Sequence, residues 1–311
     1  MCGIVGIFNF QHKPVDLSVL KKMSDTIFYR GPDGEGIWNN EHGNLGLAHR
    51  RLAIIDLSDR ARQPMHYLGR YTIVYNGEIY NYPELKAGLE KKGYQFVSHS
   101  DTEVILAAFD NKREKCLEDF DGMFAFAIWD NQLQQLFLAR DRFGEKPLRY
   151  YMDSERIVFA SEVKALFKAG VPKKVSKEKM GNFLENNVAI YNTETFFEGI
   201  KKLPHGHYAF VQNGKIDIHE YYRLQYKNTV FMDDHEYAEE FRRLFFLSVN
   251  RRLQSDVPVA TSFSGGLDSS GIVCTMHQLR EKVDYKLFSA RFGDDVKDEG
   301  KWMKHITELL H

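Results

Sequence analysis

The second residue of this chain is a cysteine, at the head of MCGIVGIFNF. An initiator methionine is normally trimmed when the residue behind it is small, which would leave Cys2 as the N-terminus. A free α-amine has a pKa of about 7.7–8.0, against about 10.4 for lysine, so much more of it is neutral near pH 7. It can take the proton of its own residue's thiol, directly or through a water, with no histidine required. The thiolate then attacks an amide or ester carbonyl, and the amine protonates departing ammonia. The bland alternative is a small buried residue at the start of a strand. Such a site also needs oxyanion donors and a clamp for the substrate's charged ends. Arg51, Asn76-Gly77-Glu78 and Asp101 stand on predicted loops and strand ends where they could serve. Taken singly, Arg51 and Glu78 read as solvated charges and Asp101 as a helix-start acid.

A second chemical stretch is SGGLDSS at 264–270. Two adjacent glycines let the backbone turn sharply and bring N–H groups close to an anion. The helix expected behind them adds partial positive charge, and Ser264, Ser269 and Ser270 add hydroxyls. The stretch has neither a Gly-Lys-Ser/Thr ending nor G-x-G-x-x-G, so it is not a Walker A loop or a dinucleotide fingerprint. A Ser/Gly turn capping a helix is the plain reading. Its place at the carboxyl end of a strand favours a phosphate cradle. Asp268 beside bound phosphates would need a bridging cation, hence Mg²⁺; otherwise it is a helix N-terminal acid.

These residues need scaffolding, and the flanking pattern supplies it. CGIVGIFNF (2–10) reads as a strand sandwiched between layers. A helix follows over 16–28, with Leu17, Leu20, Ser24 and Ile27 on one stripe. RGPDGEG (30–36) is a glycine-rich loop, and 46–56 and 71–81 are further strands. A helix over 83–92 stops at Gly93. Ser100-Asp101-Thr102-Glu103 reads as a capping box opening the next helix, and 123–141 as an apolar hairpin turning at Asp130-Asn131. Strands, two helices, then more strands give a layered α+β domain. Past a polar linker at 223–235, a long helix carries Tyr237, Phe241, Leu244, Phe245 and Ser248 on one face. A buried strand (257–263), the loop, a helix and a strand (286–292) then form one βαβ unit of a parallel sheet.

The bulk numbers are those of an ordinary soluble protein. Its 311 residues suffice for about two domains, with 43% hydrophobic and 27% charged residues and a net charge of −1. No basic field suggests nucleic acid. Three cysteines, Cys2, Cys116 and Cys274, argue for a reducing compartment over a disulfide framework. No apolar run approaches a membrane span and no secretory signal is evident, so a cytoplasmic location is expected. Cys116, Cys274 and Met276 read as core, and His205-Gly206-His207 as a turn.

Taken together, MCGIVGIF, YRGPDGEG, AHRRLAIID, YNGEIYN, SDTEVIL, DGMFAFAIWD, ARDRFGEKPL, ASEVKAL and SDVP…SFSGGLDSS resemble, in order, the class II, N-terminal-nucleophile, glutamine-hydrolysing asparagine synthetases. The resemblance covers essentially the whole chain. It implies an αββα glutaminase sandwich over 1–222, followed at 223–311 by the beginning of an α/β ATP-pyrophosphatase domain. Cys2 would attack the glutamine side-chain amide, and the Asn76 side chain and Gly77 N–H would form the oxyanion hole. Arg51 would pair with the α-carboxylate, Glu78 and Asp101 with the α-amino group, and Leu52, Ala53, Ile54 and Ile55 would line the pocket. Phe263, Ser264, Gly265, Gly266, Asp268, Ser269, Ser270 and Phe292 would hold ATP, with Asp268 toward Mg²⁺. ATP would adenylate aspartate, and ammonia arriving by an internal tunnel would displace AMP.

The match breaks after the loop. Family members continue through more strands and a second acidic loop, so the sequence reads as a fragment, a split-gene half or a truncated paralogue. Trp302, Ile306, Leu309 and Leu310 form a core face with no later partner. Phe263 stands where an aliphatic residue is usual, and Arg149 where tyrosine is. The expected functions are an amidotransferase completed by further sequence, a lone glutaminase, or a non-catalytic remnant docking another subunit. A carboxylate other than aspartate is an alternative acceptor, and a homodimer or a complementing C-terminal fragment an expected partner.

Overall fold

The computed structural model describes residues 1–186, 193–225, 231–279, 286–293 and 298–310. It divides into two compact units, Met1–Gln225 and Tyr226–His311. In chain order the first holds β1 (Gly3–Asn9), α1 (Leu17–Asp25), β2 (Gly34–Asn39), β3 (Leu45–Arg51), β4 (Met65–Tyr67), β5 (Tyr71–Ile79), α2 (Tyr82–Glu90), α3 (Asp101–Lys112), β6 (Gly122–Asp130), β7 (Gln135–Arg140), β8 (Arg149–Met152), β9 (Arg156–Ala160), α4 (Val163–Lys168), α5 (Lys177–Asn186), β10 (Ile200–Lys202), β11 (His207–Gln212) and β12 (Lys215–Glu220). Two antiparallel sheets result, ordered β10-β8-β9-β1-β3-β2 and β12-β11-β7-β6-β5-β4.

The side-chain alternation of β1 decides the layering. Ile4 and Phe8 enter a cluster between the sheets with Leu47, Val74, Ala127 and Trp129. Val5 and Ile7 face the other way, onto Leu20, Met23 and Ile27 of the α1 region and Leu166 of α4. The outer face of the second sheet is covered by Val104, Ile105 and Phe109 of α3 and Leu89 of α2. The order helix, sheet, sheet, helix is the αββα sandwich.

Local details depart from the sequence expectations. The strand expected over 46–56 ends at Arg51, because the chain beyond it leaves the sheet toward Cys2. The loop expected over 30–36 already contains the start of β2 at Gly34, whose Gly36 lies so close to the Gln63 carbonyl that a Cβ would sit 1.9 Å from it. Leu17 is exposed and Met23 completes the buried stripe of α1. Ser100 caps α3 by accepting from the Thr102 N–H at 3.1 Å, but no capping box forms. The Glu103 carboxylate instead accepts from the Ser98 N–H and hydroxyl at 2.8 and 2.6 Å. The β6–β7 hairpin closes at Asp130↔Gln135, with Asp130 accepting from Arg70 and Arg113 at 2.7 and 2.8 Å.

The second unit holds α6 (Asp234–Arg252), β13 (Ala260–Ser262), α7 (Leu267–Leu279), β14 (Lys286–Phe288) and α8 (Gly300–Leu309). A capping box of Asp233 and Glu236 starts α6. β13 and β14 pair in parallel around α7, the expected βαβ unit. Both strands are three residues long, far shorter than expected. Val249, Leu253 and Met276 form one small cluster, and Phe263, Val273 and Met303 another. Tyr237, Phe241, Leu244, Trp302 and Leu309 are exposed, while Phe245, Ile306 and Leu310 pack against these clusters, so the predicted faces of α6 and α8 are buried only in part. Cys116 is buried and Cys274 half-buried. No helix among the described residues is long and apolar enough to cross a membrane.

Candidate active site

Cys2 directly precedes β1, and the β1–β3 register pairs Gly3 with Arg50. The cysteine therefore stands opposite the point where β3 ends. Its Sγ accepts from the Leu52 N–H at 3.3 Å and its S–H faces the Leu52 carbonyl at 3.5 Å. The Arg30 Nε donates to the Cys2 carbonyl at 2.9 Å, and Arg30 is held in turn by Glu162 at 2.9 Å. Two residues on, the Ile4 N–H donates to Ser161 Oγ at 3.0 Å. The backbone at Cys2 is thus fixed by β3, by the turn carrying Arg30 and by the residues just ahead of α4. Burial pushes the Cys2 thiol up, while the Leu52 N–H and the chain's terminal amine oppose that.

The sulfur opens on a cleft that brings together Cys2, Arg51, Leu52, Ile54, Ile55, Asn76, Gly77, Glu78 and Asp101. Ala53 is not on its wall; its N–H is turned to Asp33 Oδ2 at 2.9 Å. Arg51 is aimed by main-chain carbonyls, donating to Ser58 O at 3.0 Å and to Asp56 O. Asp56 is itself pinned by the His99 N–H at 2.8 Å, which couples this loop to the segment ahead of α3. Asn76 lies at β5 with 1% exposure, and neither atom of its amide has a hydrogen-bond partner. Native folds seldom leave such a group orphaned unless it serves a bound ligand. Gly77 cannot be replaced: a Cβ there would lie 2.2 Å from the Met123 carbonyl and 2.7 Å from the Tyr75 ring. Asp101 Oδ2 accepts from the Tyr75 hydroxyl at 2.8 Å and the Ile79 N–H at 3.0 Å. Burial pushes the Asp101 carboxyl up, and these donors oppose it.

Other residues of the site were not singled out in the sequence. Gln63 accepts from the Tyr75 N–H at 2.6 Å and donates to Thr102 Oγ1 at 3.2 Å, tying β5 to the start of α3. His49 is fully buried and donates from Nε2 to the Tyr75 carbonyl at 3.0 Å. Burial pulls the His49 pKa down to about 3, so it bridges β3 and β5 as a neutral ring. Met1, Met123 and Lys146 also line the cleft. Their partners lie up to 145 residues away, out of reach of any local pattern.

In the second unit, the 264–270 loop folds back on itself. Ser264 Oγ and Ser269 Oγ lie 3.1 Å apart, and the Gly266 N–H donates to Ser264 Oγ at 3.3 Å. Gly265 has φ +81°, and a Cβ would stand 2.9 Å from the Met303 nitrogen. Ser270 Oγ, in the first turn of α7, is buried without a partner. Asp268 shares that turn. Among the described residues no group of three His, Cys, Asp or Glu could hold a metal. The Phe263 side chain is 2% exposed in the core and its carbonyl accepts from Ser289 Oγ at 2.6 Å, so it offers little to a ligand. Phe292 is exposed, with its N–H given to Asp298 at 2.7 Å.

Residues 1–222 match the model of the glutamine amidotransferase domain. The chain belongs to the glutamine amidotransferase family. Residues 240–311 match the asparagine synthase model. The chain is 35% identical to asparagine synthetase [glutamine-hydrolyzing] 3 of Bacillus subtilis, over 100% of its own length and 53% of the relative's. It is 36% identical to amidase chry2 of Gibberella zeae, over 81% of itself and 38% of that protein. It thus spans between 38% and 63% of the length of such curated relatives. Among solved structures, glutamine phosphoribosylpyrophosphate amidotransferase from B. subtilis superposes with a TM-score of 0.54 at 16% identity, covering 93% of this chain and 65% of that one. The fold of this chain is therefore the N-terminal-nucleophile sandwich that the family resemblance implied.

Proposed function

We propose that this chain hydrolyses the side-chain amide of glutamine at Cys2, and that the ammonia feeds an ATP-dependent amidation of aspartate to asparagine. The orphaned amide of Asn76, buried in the same cleft as a thiol at position two, carries the first half. With Met1 removed, the Cys2 amine takes the thiol proton as Sγ bonds to the amide carbon. The carbonyl oxygen gains the negative charge, stabilised by Asn76 Nδ2 and the Gly77 N–H. As the carbon–nitrogen bond breaks, the ammonium proton passes to the leaving nitrogen, giving ammonia and a thioester. Water then adds, its proton going to the amine, and cleavage of the carbon–sulfur bond returns the thiol and releases glutamate. Arg51 offers its guanidinium to the substrate's α-carboxylate, and Glu78 and Asp101 their carboxylates to its α-ammonium.

The second half rests on the asparagine synthase match and on the loop before α7. A buried hydroxyl with no partner at Ser270, and a Gly265 that tolerates no side chain, suit a phosphate at a helix N-terminus. One carboxylate, Asp268, fits Mg²⁺ shared with phosphate oxygens. Bound ATP would supply the adenylyl group that makes the aspartate β-carboxylate an acyl donor. The test of the first half is direct. Purified protein given glutamine releases glutamate and ammonia, Cys2→Ala abolishes this, and mass spectrometry finds Met1 absent. Equal turnover by Cys2→Ala would remove the reading.

A further inference from the structure

A buried lysine in this cleft is not used by the steps above. Lys146 is 4% exposed and its ammonium donates to Met1 Sδ at 2.9 Å. A thioether is a weak acceptor, and a desolvated ammonium with so weak a partner is expensive for a fold to keep. Yet the loop leading to it is built firmly. Asp141, 1% exposed, accepts from the N–H groups of Phe143, Glu145 and Lys146 at 3.0, 2.9 and 2.9 Å. From the other side Arg140 donates to the Lys146 carbonyl at 2.8 Å and to the Gly144 carbonyl at 2.7 Å. Gly144, at φ +71°, makes that turn possible. The loop delivers one cation to the place occupied by residue 1, whose carbonyl is bonded to the Cys2 nitrogen.

We propose that Lys146 is a positioning residue for the nucleophile: its ammonium, beside the residue-1 position, keeps the amine of trimmed Cys2 in the neutral, proton-accepting form. The proposal rests on the reading of Cys2 as an N-terminal nucleophile. A like charge nearby disfavours protonation of an amine. The charges around it fall into two sets. Glu78 of β5 and Asp141 and Glu145 of the loop favour the Lys146 charge, and Arg30 opposes it; burial, the largest influence, pulls the Lys146 pKa down. The amine of Met1 is lowered first by burial; Arg30 and Lys146 lower it further, and Cys2 and Asp33 oppose them. Asp101 and Arg51 act on the thiol from the far side.

The experiment is the pH profile of kcat/KM for glutamine, from pH 5.5 to 9, in wild type, Lys146→Met and Lys146→Arg. Lys146→Met moves the acid limb up by ~1 pH unit, about a tenfold loss at its foot, and converges with wild type at high pH. Lys146→Arg keeps the wild-type limb. A loss equal at every pH, or a rise in KM alone, overturns the proposal. Where the Met variant fails to fold, the amine is titrated in trimmed wild type through its acylation rate; the proposal requires a value below the ordinary ~7.7–8.0, and a value at or above that overturns it. A wild type that releases no ammonia condemns the nucleophile reading itself, and the proposal with it.

Discussion

Asn76 shows what one residue can disclose. Its amide is fully enclosed and bonds to nothing in the protein, so the fold gains no hydrogen bond from it. An oxyanion would supply the missing partner. Asn76→Ala should therefore lower kcat by ~10²–10³, while the thermal midpoint holds or rises, because the substitution removes a desolvated polar group. Steady-state kinetics and calorimetry on one preparation check both. A stability loss matching the loss of rate would mean that the amide is structural. Cys2, Asn76, Gly77 and Asp101 were legible because each sits in a short contiguous motif. Lys146 and Gln63 were not, because what singles them out is a contact across the fold.

At the scale of elements, the site is a product of where β3 stops. Had it run to residue 56, as the apolar pattern suggested, Leu52 could not turn its N–H and carbonyl onto Cys2 Sγ. Periodicity identifies apolar segments but not the point at which a side-chain partner draws the chain from the sheet. The capping box failed similarly: Glu103 found nearer donors at Ser98. The tie between β3 and β5 has its own pH dependence. His49 is held neutral, with a folded value of about 3 against 6.5 when free. Below pH 6.5 the unfolded chain binds a proton there and the folded one does not. Stability from this group is therefore complete above pH 6.5 and falls by about 1.4 kcal/mol per pH unit on the way down to pH 3. His49→Gln can still donate to Tyr75 and does not titrate. Denaturant titrations at pH 6.5 and 4.5 should show a drop smaller by roughly 2–3 kcal/mol in the variant than in wild type.

On the scale of the whole molecule, chemistry and division coincide. Every residue lining the Cys2 cleft falls between Met1 and Lys146, inside a unit with three hydrophobic clusters of its own. A chain ended at Gln225 should keep both the proposed glutaminase activity and the fold of the first unit, checked by ammonia release and by near-ultraviolet circular dichroism. Loss of both would show that the second unit supports the first. The broad architecture was readable from strands with apolar residues on both faces, which only a sheet covered on both sides can bury. The second unit was harder to read. Its helices bury Val249, Met276 and Met303, while the larger aromatics that dominate a periodicity analysis, Phe241 and Trp302, stay exposed.

Met1 lines the cleft and caps Lys146. On the proposed chemistry, any folded molecule that still carries Met1 thus holds its own first side chain at the mouth of its cleft. Competence then begins with an irreversible cut one residue long. The number of working molecules follows the schedule of an exopeptidase, and no later equilibrium restores the lost residue.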